Sequence, residues 1–312
     1  MSNYTPSRLG QINGSGAADA LFLNVFSGEV LTAFDVTNVM LPRHTVRTIP
    51  HGRSAQFPAS GLADAYDHTP GTRLTGRAIS HAERIITIDG LLVSDVSIAN
   101  IDEAMNHYDV RSIYSTEVGR ALSRRMDRNL LQIGVLAARA SAVITGLPGG
   151  AQVNGGANLP TNTSGALRDA LFTAAQTLDE KNVPEDGRFC VLRPAQYYRL
   201  VLDAVVPNRD YSGAPGADVR TGKVWEVSGI EIVKSNNLPS TNITTGNTKY
   251  QGNFTNTFGL VMHPSAIGTL KLMDLQVEGA YSVEVQATLI VAKYLAGHGI
   301  LRPECAVELR NA

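Results

Sequence analysis

Residues Ser115 to Ala140 read STEVGRALSRRMDRNLLQIGVLAARA. Val118, Leu122, Met126, Leu130, Ile133 and Leu136/Ala137 recur at three- and four-residue intervals, which sets them on one stripe of an α-helix. Glu117, Arg120, Arg124, Arg125, Asp127 and Arg128 lie mostly off that stripe and suit a polar face of mutual ion pairs. A helix of ~26 residues is ~39 Å long, well above the usual length. It predicts a structural spine.

Toward the N-terminus, Asn100 and Glu103 form a capping-box pattern for a short helix over Asn100 to Tyr108. His81 to Val96 has a strand pattern around a turn-like Asp89-Gly90. Residues 41–80 are broken by Pro42, Pro50, Gly52, Pro58, Gly61, Pro70, Gly71 and Gly76, with short strand-like pieces at 44–49 and 54–57. So little apolar content cannot build a core. A projecting two-stranded excursion is expected, each arm of ~15 residues reaching ~50 Å. Such a finger is marginal alone and rests on a partner. Residues 20–34 have near-helical apolar spacing, and 1–16 are a polar, Gly/Ser-rich mobile arm.

Toward the C-terminus, 145–165 is a Gly/Asn/Pro-rich connector. Beyond it the pattern predicts a helix over Ala166 to Lys181, a strand over Arg188 to Leu192 and a helix over Pro194 to Leu202. A strand over Val224 to Val233 lies between loops at 207–222 and 235–256, and further strands fall near Phe258–Met262 and Tyr281–Ala292. Strands and helices come in blocks, without regular βαβ alternation, so the class is α+β.

The chain has 312 residues, 43% hydrophobic and 18% charged, with formal net charge -1. Near-neutrality argues against sequence-driven DNA binding, which draws its affinity from a basic excess. Cys190 and Cys305 cannot form a zinc quartet; they could pair, but are read as buried free thiols of a reducing cytoplasm. The N-terminus carries no signal-peptide pattern, and Asp19, Asn24 and Glu29 interrupt the most apolar early stretch, so no membrane is expected.

GxSxG, HExxH, EF-hand and Walker A patterns are absent, and Gly14-Ser15-Gly16 has no preceding strand to make it a dinucleotide loop. His107 beside Asp109 is read as a helix-terminal hydrogen-bonding residue rather than a general base, and His298 as a buried one in a tight bend. No catalytic, cofactor-binding or metal-binding residues are assigned. Arg43, Arg47 and Arg53 make one segment locally basic. They form either an intersubunit or nucleic-acid contact or a solvated strand face.

Several stretches resemble the major capsid proteins of short-tailed bacteriophages. They are 20–34, Ser54-Ala-Gln-Phe-Pro58, Ile86-Thr-Ile-Asp-Gly-Leu-Leu92 and 101–112. Gly259 to Lys271 and Ala292 to Pro303 continue the series, in order over nearly the whole chain. The resemblance implies the tailed-phage major capsid fold: an N-terminal arm (1–40), an extended β loop lying over the adjacent subunit (41–85), and a peripheral domain holding the spine helix (86–164). An axial domain (165–257) and C-terminal strands completing the peripheral domain (258–312) follow. It further implies a non-enzymatic subunit that forms hexamers and pentamers and encloses double-stranded DNA without sequence specificity. Assembly would take place in the host bacterial cytoplasm with a scaffolding protein and a portal. Because the match begins as early as Ala20, the scaffold is expected to be a separate protein. The first lysine is Lys181, so the extended loop cannot supply the amine of the isopeptide bond that some relatives use. Two other classes stay open on the residues alone: a soluble enzyme with an unrecognised site, and a virion decoration protein.

Overall fold

The computed structural model describes residues 38–74, 76–99, 110–203, 217–218, 223–224 and 226–311. The expected arm at 1–16, the helical segments at 20–34 and 100–108, and His107 lie outside the described residues, as does most of 207–222.

In chain order the elements are β1 (Thr45–Thr48), β2 (Ser54–Ser60), β3 (His81–Thr87), β4 (Leu92–Ala99), α1 (Val110–Arg139), β5 (Ala151–Asn154) and α2 (Ala166–Glu180). Then come β6 (Phe189–Leu192), α3 (Pro194–Val201), β7 (Ala217–Asp218), β8 (Lys223–Val224), β9 (Glu226–Val227) and β10 (Ile230–Lys234). The last are β11 (Asn242–Ile243), β12 (Gly252–Asn253), β13 (Thr257–Met262), β14 (Ile267–Ser282), β15 (Ala287–Ile300) and β16 (Ala306–Arg310). They group into two compact units.

In the unit containing 89–126 and 272–296, β15 runs antiparallel to β4, with Ala287 opposite Ala99 and Tyr294 opposite Leu92. Val118 and Leu122 of α1 pack on Ala292, beside Leu92 and Val96. Ile98 and Ile290 form a neighbouring buried pair. The leading part of the helical stripe thus covers a strand pair whose alternate residues are apolar.

The other unit holds 39–88, 127–271 and 297–312. Its main sheet has the order β5-β16-β13-β6-β10-β9. Phe189, Cys190, Val191 and Leu192 of β6 are all buried, the unbroken apolar run of a strand covered on both faces. Leu167, Ala170, Leu171, Ala174, Ala175 and Leu178 form the buried face of α2, which packs on β16 and β5. Pro194 opens α3, where its fixed φ and missing N–H cost nothing. From Leu130 onward α1 is apolar nearly all round and almost wholly buried, and Gly134 lets it approach Leu260 and Met262 of β13 closely.

Three expectations need correction. The strand expected over Val224 to Val233 is interrupted: Ser228 (φ 53) and Gly229 (φ 72) make a two-residue hairpin turn between β9 and β10. The strand expected over Tyr281 to Ala292 straddles another turn, between the end of β14 and the start of β15. Its alternating Tyr281, Val283 and Val285 mimic a continuing strand, and no Gly or Pro marks the reversal. The piece at 44–49 is not part of the excursion. It supplies β1, which pairs parallel with β14 from Thr45–Gly268 to Thr48–Lys271.

Candidate assembly surfaces

The excursion itself is the ribbon β2–β3, antiparallel from Ser54–Thr87 to Ser60–His81 and continued by a Gly61 N–H to Ser80 carbonyl bond of 2.8 Å. Its faces alternate. Ala55, Phe57, Ala59, Ala82, Arg84 and Ile86 are covered or half-covered, whereas Gln56, Pro58, Glu83 and Ile85 are exposed. Pro58, lacking an N–H, is tolerated because the ribbon is only two strands wide. Beyond Gly61, Leu62 (73%) and Leu74 (65%) stand in solvent. Apolar side chains this exposed are a cost in an isolated subunit and an asset at an interface.

The three arginines do not converge. Arg43 donates from Nε and Nη2 to Glu231 at 3.2 and 2.6 Å and from Nη1 to the Val39 carbonyl. Arg47 donates to the Gln56 carbonyl at 2.8 Å and sits 5.6 Å from the Phe57 ring centroid. Arg53 is exposed and has no side-chain hydrogen bond or ion pair among the described residues.

The base of this segment is tied down by residues that sequence reasoning passed over. Asp127, expected off the apolar stripe, is completely buried and accepts from the backbone N–H groups of Val39 (2.9 Å) and Met40 (3.2 Å) and from Asn237 (3.4 Å). Burial pushes its carboxyl above the usual range, and the three donors pull it partly back. The partners are far away in sequence, so no local pattern reveals them.

A second tie is a hydrogen-bond chain. His44 donates from Nδ1 to the Met40 carbonyl (2.6 Å), Thr269 donates to His44 Nε2 (2.7 Å), and His298 Nδ1 donates to Thr269 Oγ1 (2.8 Å). With both imidazoles neutral, each of these contacts has one donor and one acceptor. Burial lowers the pKa of each, that of His298 to about 3. His298 is buried as expected but lies within β15, not in a bend. Gly297 and Gly299 flank it because that strand passes against Thr87, Ile88 and Ile86.

Cys190 and Cys305 are both free and buried, and desolvation raises both thiols above their ordinary pKa. Among the described residues, no group of three or more His, Cys, Asp or Glu is placed to hold a metal ion, and no helix is long and apolar enough to cross a membrane.

A ribbon without a core, a helix of 30 residues and a six-stranded sheet are the elements of a shell subunit with the tailed-phage capsid fold. The capsid structure of Cyanophage P-SCSP1u shares that fold at a TM-score of 0.83 and 44% identity, covering 100% of this chain and 99% of that one. The mature capsid of bacteriophage PhiM1 agrees in fold alone, at a TM-score of 0.78 and 17% identity over 97% of each chain. The family model described as "Gp10A-like: Major capsid protein" matches residues 56–310, and the chain belongs to that family. The major capsid protein of Enterobacteria phage T3 is 37% identical, covering 95% of this chain and 93% of its own length. That of Escherichia phage T7 is 39% identical, covering 92% and 90%. The chain is thus a major capsid protein of a tailed phage, a virion component that assembles with copies of itself, and the resemblance drawn from its residues holds.

Proposed function

We propose that copies of this chain form the hexamers and pentamers of an icosahedral shell around double-stranded DNA. Assembly takes place in the host bacterial cytoplasm with a separate scaffolding protein and a portal, and the subunit catalyses nothing. The observation that carries this reading is the β2–β3 ribbon: seven paired residues on each side, alternating faces and no core of its own. Such a ribbon suits a surface on an adjacent subunit.

In this reading 1–40 is an arm, 41–85 the extended-loop segment, whose projecting ribbon starts only at Ser54, 86–164 and 258–312 the peripheral domain, and 165–257 the axial domain. Arg43, Arg47 and Arg53 form an intersubunit clamp. Arg43 and Arg47 hold the segment in shape through Glu231 and Gln56, and Arg53 faces the partner. Contact with DNA is weak and non-specific, in keeping with a net charge of -1. Repetition supplies the stability, since a contact of a few kcal/mol made several times per subunit closes a durable shell.

The test is negative-stain microscopy of the chain co-expressed with a scaffolding protein. Closed particles are expected. A monodisperse soluble subunit that forms no particles under any scaffold ratio overturns the reading.

A further inference from the structure

At the root of the ribbon lies a cavity of about 270 Å³ lined by Thr45, Phe57, Arg84, Ser265, Leu301 and Arg302, among others. No carboxylate lines it. Arg302 is already engaged, donating from Nε to Glu304 at 2.7 Å. Arg84 is not: its Nε is buried without a hydrogen-bond partner, and its side chain has no ion pair among the described residues. A guanidinium stays charged at any physiological pH. Leaving a charged donor buried and unsatisfied costs more than leaving a neutral one so. Only Nε is closed off in this way, the residue as a whole being half-exposed, and a carboxylate is the acceptor that pairs most strongly with it.

We propose that this cavity is a socket for a carboxylate side chain of a second copy of the chain, with Arg84 as the receiving group. Guanidinium Nε and Nη present two parallel N–H groups, which match a carboxylate in the strong bidentate geometry. Phe57 stands opposite Arg84 across the ribbon, and together with Pro58 and Leu301 it gives the socket an apolar wall suited to the methylene stem of Glu or Asp. A cavity of this size takes a side chain and not a nucleic-acid backbone. Its position at the ribbon root, in a chain that assembles with itself and carries 28 Asp and Glu, makes another subunit the source.

The inference rests on the shell reading, so wild-type chain co-expressed with scaffold is the reference. If wild type forms no particles, the shell reading fails and not the socket. With wild-type particles in hand, R84Q is expected to raise the subunit concentration needed for assembly about tenfold, the loss of ~1.4 kcal/mol per subunit, while the soluble subunit keeps its melting temperature. Normal R84Q particles overturn the socket. R84K places an amine in the cavity, and a carbodiimide then joins it to any carboxylate in contact. Mass spectrometry should find position 84 linked to an Asp- or Glu-bearing peptide in particles and not in free subunits. The same link in free subunits, a link to the scaffold, or no link at position 84 overturns the proposal.

Discussion

Arg139, at the end of α1, grips Glu308 of β16 with two parallel hydrogen bonds, Nε to Oε2 at 2.7 Å and Nη2 to Oε1 at 2.6 Å. The carboxylate is fully buried and takes a third bond from the Thr257 hydroxyl, while the guanidinium keeps 24% of its exposure. Hydrogen bonding to Glu308 holds the Arg139 pKa above its ordinary value. The two partners are therefore not equivalent. R139M leaves a buried carboxylate with only a hydroxyl, and should cost about 3–5 kcal/mol in urea denaturation. E308Q leaves a cation that water can reach and should cost clearly less. Equal losses would contradict the asymmetry.

The His44–Thr269–His298 chain predicts acid sensitivity. An unfolded chain protonates both imidazoles near pH 6.5, whereas the folded chain holds them neutral to lower pH, to about pH 3 for His298. Stability is therefore full above pH 6.5 and falls with acidification, by up to about 1.4 kcal/mol per pH unit for each histidine. His263, also lowered chiefly by burial, adds to the slope. Denaturation of the soluble subunit at pH 7 and pH 5 should show the decline, and H298Q should make it shallower by about one proton's worth.

Gly297 tests the close approach of β15 to the end of the ribbon. A Cβ there would run into the Thr87 carbonyl oxygen and lie 2.8 Å from Ile88 Cα, both backbone atoms that cannot rotate away. G297A should cost about 2 kcal/mol or more. Gly90 has open space around its Cβ position, so G90A should stay within about 0.5 kcal/mol in the same thermal melts.

Replacing Arg43, Arg47 and Arg53 together with Glu should leave a soluble subunit that fails to assemble on a sucrose gradient. Glu231 of the Arg43 pair is half-exposed, so the stability loss is small. R53E alone should reproduce most of the assembly defect, because the other two already have partners in the chain. Normal particles from the triple variant would refute the clamp.

Particles boiled in SDS with reducing agent should run as a single subunit band. The whole of the loop precedes Lys181, so it offers no amine for an isopeptide bond. A ladder of higher bands would show that a covalent lock exists after all.

What could be read from sequence was whatever is local. The stripe from Val118 through Ile133 marked α1, and Leu167, Leu171, Ala174 and Leu178 marked α2, because each set repeats within one turn or two. The ribbon was foreseen from its breakers, although β1 was counted into it. What pairs β1 is Gly268 to Lys271, far along the chain. Asp127 looked like a surface residue because its three partners are Val39, Met40 and Asn237. Arg43 could not be matched with Glu231, 188 positions away. Arg84 gave no signal at all, since an unpaired guanidinium becomes notable only when its surroundings are known.

The alternating faces of β2 and β3 constrain how this protein can change over generations. Insertion of a single residue in one strand would swap the faces of that strand's residues, Phe57 with Gln56 in β2 or Ile86 with Ile85 in β3. Only additions of two residues per strand preserve the pattern, and each such pair lengthens the ribbon by ~7 Å. The reach of the ribbon is therefore quantised. Related shells of different curvature should carry ribbons that differ by whole steps of that size, with nothing in between.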